Sequence, residues 1–212
     1  MNTVIIRETF DQAEFDPRLT WLNPPQTWHL KNHCLTIQPD AKTDFWQKTH
    51  YGFEADNGHF LYAAVSGDFI LTTRVRFKPA HQYDQAGLMV RLSSHCWLKT
   101  SVEYEPEGLA RLGAVVTNNG YSDWSTQDFT AAKNELMLRV RREGSDYIVE
   151  YSAVDSPEQE VTARQWTQIR LARLLEDDGQ RPVKAGLYAC CPLAAGYVAE
   201  FEFLEIEAGR LE

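Results

Sequence analysis

Residues 69–77, Phe69-Ile70-Leu71-Thr72-Thr73-Arg74-Val75-Arg76-Phe77, decide the fold. A period of two puts Phe69, Leu71, Thr73, Val75 and Phe77 on one face and Thr72, Arg74 and Arg76 on the other, the pattern of a half-buried strand. The same alternation recurs over 86–92, 97–105, 112–117, 136–142, 147–152, 166–174, 183–190 and 198–206. Turn residues tolerant of positive φ separate these runs, among them Ser66-Gly67-Asp68, Glu107-Gly108, Asn119-Gly120, Glu143-Gly144-Ser145-Asp146 and Asp177-Asp178-Gly179. Only 155–175 hints at a helical period, and there too Trp166, Gln168 and Arg170 alternating with Thr167, Ile169 and Leu171 reads better as a strand. Nine or ten short strands exceed one ordinary sheet, so the expectation is an all-β, two-sheet antiparallel sandwich. The polar stretch Asp155–Glu160 is read as a loop, and 1–212 as a single domain without internal repeats.

Composition agrees with a globular chain. Of 212 residues, 43% are hydrophobic and 24% charged, close to the average for globular proteins. The net charge of −9 repels a polyphosphate backbone, which argues against generic nucleic-acid binding. The N-terminus lacks a basic segment followed by a long apolar stretch, and no apolar run reaches the roughly 18–20 residues of a membrane helix. A cytoplasmic protein without membrane contact is therefore expected. Cys34, Cys96, Cys190 and Cys191 form no C-x-x-C pair and have no His at zinc-ligand spacing, so they read as buried thiols. Adjacent Cys190 and Cys191 point to opposite faces of a strand, and a disulfide between them would be strained.

In the run 97–105, Leu98, Thr100, Val102 and Tyr104 form the expected core face. Trp97, Lys99, Ser101, Glu103 and Glu105 share the other face. Lys99 and Glu103 lie about 13 Å apart along such a strand, at ~3.3 Å per residue, too far for a simple local ion pair. A Trp, a Lys and a Glu in one outer row suit a groove for a polar ligand; the plain alternative is a solvated face with weak cross-strand pairs. Two further segments are dense in aromatic, imidazole and amide groups. One is 44–60, containing Trp46 and His50; the other is Thr117–Ser125, containing Tyr121, Asp123 and Trp124. Flat aromatic faces stack on pyranose C–H faces, and Asp, Asn and Gln bind ring hydroxyls, so these are ingredients of a sugar site as well as of a packed turn.

Four runs together resemble an uncharacterised bacterial and fungal domain family that includes the fungal regulator-of-enolase protein. They are Phe45-Trp46 to His59, Tyr83 to Arg91, Trp97 to Glu105 and Gly120 to Ser125. The Lys-x-x-x-Glu-Tyr strand (Lys99, Glu103, Tyr104) and the Ser-Asp-Trp-Ser segment (residues 122–125) occur in the expected order and spacing. The resemblance covers nearly the whole chain. It implies a concanavalin A-like lectin/glucanase jelly roll, two curved sheets whose concave face holds ligands in many relatives. By family position it places Trp46, His50, Gln85, Lys99, Glu103, Asp123 and Trp124 around that face. It supplies no catalytic residues, and the name of the fungal relative suggests a protein partner.

These readings converge on a carbohydrate or polyhydroxylated metabolite bound on the concave face. Trp46, Trp97 or Trp124 would stack on it, and Gln85, Lys99, Glu103, His50, Tyr121 and Asp123 would line the same surface. A glycosidase is the rival expectation. It needs two carboxyl groups about 5–5.5 Å or about 6.5–9.5 Å apart, and Glu103 with Glu105 or with Asp123 supplies candidates. Lys99 is expected to keep Glu103 ionised. The Glu200-Phe201-Glu202-Phe203-Leu204-Glu205 run resembles a β-glucanase catalytic strand but has Glu202 in place of the central Asp. It reads better as a final strand with Ala199, Phe201 and Phe203 in the core and its acids outside. No Gly-rich phosphate loop, Gly-x-Ser-x-Gly elbow or His-Glu-x-x-His helix is present, and no cofactor or metal is expected.

Overall fold

The computed structural model describes residues 3–130, 134–153 and 165–209. Seventeen strands run through them: β1 Val4–Glu8, β2 Thr20–Leu22, β3 Thr27–Lys31, β4 Cys34–Gln38, β5 Phe45–Gln47, β6 Glu54–Asp56, β7 His59–Val65, β8 Phe69–Lys78 and β9 Gln85–Ser93 come first. They are followed by β10 Cys96–Glu103, β11 Ala110–Asn118, β12 Tyr121–Phe129, β13 Glu135–Glu143, β14 Asp146–Ala153, β15 Thr167–Arg173, β16 Val183–Cys190 and β17 Val198–Ala208. The expected loop at Asp155–Glu160 lies outside the described residues.

Two antiparallel sheets pack face to face, as the alternation predicts. One has eight strands in the order β15-β14-β13-β8-β17-β4-β3, with β1 also paired to β17; the other has seven in the order β12-β11-β10-β9-β16-β7-β2. Phe69, Leu71, Val75 and Phe77 of β8 and Leu136, Leu138 and Val140 of β13 meet Leu88, Val90, Leu98, Leu112 and Leu187 of the seven-stranded sheet in one main core. Each such side chain contributes roughly 1.5–3 kcal/mol on burial.

A second apolar cluster lies on the other side of the seven-stranded sheet. Phe60, Met89, Trp97, Val115 and Tyr188 form its floor, and Phe45 and Trp46 of the separate β5–β6 hairpin form its roof. Gly58, just after β6, is required by this closeness, because a Cβ there would come within 2.5 Å of the Phe45 ring. Cys190 belongs to this second cluster and Cys191 to the main core, so the pair points to opposite faces, and all four cysteines are free thiols. The end of the sandwich near β15 is held by Arg142, which donates to both oxygens of Asp177 at 2.9 and 2.5 Å with both side chains fully buried; Tyr147 donates to the same carboxylate.

Two expected core residues are not there: Tyr104 lies just past the end of β10, half-buried, and the other is Phe203. β17 carries a register shift between Phe201 and Phe203. Phe201, Leu204 and Ile206 enter the core, while Phe203 leaves it. Glu200 and Glu202 do face outward, where Arg74, Arg76 and Lys78 neutralise them. No helix in the described residues is long and apolar enough to cross a membrane.

Candidate functional site

The residues expected to share one concave surface divide into two neighbouring groups. Gln85, Trp97, Lys99 and Glu103 lie on or beside the floor beneath the β5–β6 hairpin. Trp46, His50, Tyr121, Asp123 and Trp124 surround an open cleft beside it.

The floor group corrects two expectations. Trp97 is fully buried, with its ring 6.2 Å from that of Phe45, so it has no free face for a ligand. Lys99 is equally enclosed; its ammonium bonds Asp44 Oδ1 at 3.0 Å and stands 5.8 and 5.7 Å from the Trp97 and Tyr188 ring centres. The outer row is covered because the hairpin brings down its own carboxylates. Asp56 matches this with a two-pronged bond from buried Arg91, at 2.6 and 2.7 Å. Two buried cations thus pin both strands of the hairpin at its open end, away from the turn, and removing one partner of such a pair leaves an unpaired buried charge.

Glu103 lies at the edge of this cover, half-buried. Its Oε2 accepts from Gln85 Nε2 at 3.0 Å, and Gln85 Oε1 accepts from Tyr188 at 3.2 Å. Burial pushes the Glu103 carboxyl up to about 8; the nearby Lys99 pulls it down, while Asp44 and Glu105 push further up. The expectation that Lys99 keeps it ionised fails because burial outweighs the pull of that ammonium, and the Asp44 carboxylate beside it pushes the other way. Burial thus favours the protonated carboxyl of Glu103 well above the usual carboxylate range. Pairing with Asp123 fails on parity. Asp123 is in register with Val116, a main-core residue, whereas Glu103 shares the opposite face with Lys99 and Trp97. The Asp123 carboxylate instead bonds Arg170 of the other sheet at 2.7 Å and remains well exposed. Glu105 is engaged by Gln82 at 2.7 Å.

The cleft has a volume of about 590 Å³. One wall is the loop between β5 and β6, where Lys48 and His50 adopt positive φ of 56° and 64° and Gly52 71°. Left-handed geometry at non-glycine residues is costly, and such strain concentrates where a loop must present particular groups. This loop presents the His50 and Tyr51 rings, 4.7 Å apart, with Tyr51 5.5 Å from Trp46. Trp46 is itself buried and donates its indole N–H to Thr49 O at 3.1 Å, so it supports the loop and offers little free face. The facing wall is the start of β12, where Tyr121 is 61% exposed and stands under Lys48 Nζ at 5.6 Å. Gln47 N donates to Ser122 Oγ at 2.9 Å and ties the two walls together. Tyr51 is 58% exposed and was not singled out by sequence; its signal was an aromatic beside Gly52 in a tight turn. Among the described residues no group of three or more His, Cys, Asp or Glu is placed to hold a metal ion.

This architecture defines a two-sheet antiparallel β-sandwich of the jelly-roll type, covered on one outer face by a hairpin. The chain belongs to the family described as Protein of unknown function (DUF1349), whose model matches residues 21–209. It is 35% identical over 182 residues to Regulation of enolase protein 1 of Saccharomyces cerevisiae, covering 86% of this chain and 85% of the relative. A crystal structure titled as a functionally unknown protein from Saccharomyces cerevisiae superposes with a TM-score of 0.79 at 34% identity, covering 91% of this chain and 97% of that one. The Bacteroides ovatus xyloglucan PUL GH43B structure gives a TM-score of 0.73 at 19% identity, over 96% of this chain but 39% of that one. The xylan β-1,4-xylosidase from Bacillus halodurans C-125 gives 0.75 at 13% identity, over 95% and 38%. At these last identities the likeness is one of fold alone.

Proposed function

We propose that this protein binds a carbohydrate or related polyhydroxylated molecule in the cleft between the β5–β6 loop and the start of β12. The observation that carries the reading is the pair of exposed aromatic side chains, Tyr51 and Tyr121, on a cleft that also holds His50 and Asp123. Aromatic faces accept sugar C–H groups, while imidazole, hydroxyl and carboxylate groups bind hydroxyls. The cleft volume lies within the ~300–1,000 Å³ typical of small-molecule sites. The site thus moves from the floor of the sheet to its rim, with Trp97 and Lys99 beneath the hairpin that carries one of its walls. Cytoplasmic location is part of the same proposal.

A thermal-shift screen against neutral oligosaccharides such as xylotriose and cellotriose, with sugar phosphates alongside, tests it. A ligand at ten times its dissociation constant adds about 1.4 kcal/mol. Tyr121→Ala should weaken a hit by roughly 2- to 12-fold, the equivalent of about 0.5–1.5 kcal/mol for one aromatic contact, without changing the unliganded melting point. Equal affinity in parent and variant refutes the assignment.

A further inference from the structure

The bulge in β17 shapes the outer face of the eight-stranded sheet. Before it β17 pairs with β4, with Leu35 opposite Phe201; beyond it β17 pairs with β1, with Glu8 opposite Leu204. Two strands from distant parts of the chain thus abut end to end, and Glu202 and Phe203 have no register partner on that edge among the described residues. A bulge re-aims side chains, and here it takes Phe203 out of the core that its neighbours Phe201 and Leu204 enter. Phe203 instead lines a groove of about 730 Å³ on the outer face of the eight-stranded sheet, together with Cys34, Arg7 and Arg76.

The walls of this groove are ion pairs. Arg7 Nε donates to Glu205 Oε1 at 2.6 Å, and Arg76 bonds Glu202 and also Glu135, the latter at 3.0 Å. Both guanidinium groups are therefore already matched, and Glu207 and Asp11 add further negative charge to the lining. The two arginines that line the groove are thus each taken up by a carboxylate. A neutral ring bearing hydroxyls finds an aromatic surface for its C–H groups and flanking pairs that both donate and accept hydrogen bonds.

We propose that this groove, with Phe203 between the Arg7–Glu205 and Arg76–Glu202 pairs, is a second ligand site for a neutral polyhydroxylated ring of the pyranose type. It stands independently of the Tyr51–Tyr121 cleft. Occupation of both sites would make the chain bivalent toward a repeating polymer.

Cys34 gives a direct readout, because it lines the groove and is half-buried while the other three cysteines are buried. Burial raises its pKa, so alkylation by iodoacetamide is followed at pH 8.5 by mass spectrometry, with and without 50 mM xylotriose, cellotriose or maltotriose. At least one of these sugars should slow Cys34 alkylation threefold or more in the parent and equally in Tyr121→Ala. Phe203→Ala, whose side chain is not part of the core, should fold with an unchanged melting point and lose the protection. An unprotected Cys34 with all three sugars overturns the proposal, as does protection that survives Phe203→Ala. Protection that disappears in Tyr121→Ala assigns the effect to the other cleft and overturns it too. Protection by glucose 6-phosphate and by none of the neutral sugars overturns the ligand class.

Discussion

Glu103→Gln should change how stability depends on pH. Moving a carboxyl from 4.5 to about 8 corresponds to at most about 4.8 kcal/mol, at about 1.36 kcal/mol per pH unit. Glu103 is half-buried, and solvent screening reduces this to roughly 2–3 kcal/mol. The folded chain holds this proton to higher pH than the unfolded chain does, so between 4.5 and about 8 the native state binds more protons and stability falls as pH rises. The loss begins at the unfolded value and is complete above the folded one. Gln keeps the shape and can still accept from Gln85, but has no proton to lose. The melting points of parent and variant, measured from pH 4 to 9, should therefore diverge in favour of the variant through this window and run parallel outside it. At about 2–4 °C per kcal/mol, the final gap is roughly 4–12 °C. Histidines and other acids titrate alike in both proteins and cancel in the difference. Parallel curves from pH 5 to 9 would refute the reasoning that burial outweighs Lys99 at this carboxyl.

Arg142→Met leaves the Asp177 carboxylate buried without its cation and should cost about 3–5 kcal/mol, read as a fall in melting temperature; Arg7→Met, at an exposed pair, should cost under about 1 kcal/mol. Phe45→Ala removes the roof over Trp97 and should cost about 3–5 kcal/mol, with a red shift of tryptophan emission as water reaches the indole; unchanged emission would contradict the hairpin's role as cover. Under native, non-reducing conditions Cys34 should react with Ellman's reagent far faster than the other thiols, and all four should react after denaturation; a deficit of two would reveal a Cys190–Cys191 disulfide.

The strands of the main core were legible because their alternation is strong. Phe69 to Phe77 and Leu98 to Val102 follow the pleat without interruption, and even the opposed orientation of Cys190 and Cys191 follows from it. Alternation says which residues share a face but is silent on what covers that face. The cover over Trp97 and Lys99 comes from Phe45 and Asp44, more than fifty residues earlier, in strands only three residues long. A bulge is equally invisible to a period of two, which is why Phe203 was assigned to the core. Edge strand β12 escapes the alternation altogether, because most of its positions are solvated and polar. The candidate site was half legible: the segments around His50 and around Tyr121 do meet, but the parity that sends Asp123 away from Glu103 required the register with β11.

Backbone NMR shift mapping during a titration with the best thermal-shift hit tests the central claim most directly. The cleft assignment predicts perturbations concentrated in residues 46–53 and 121–124, lost together in Tyr51→Ala/Tyr121→Ala. Perturbations that bypass both segments, or persist unchanged in the double variant, would contradict it.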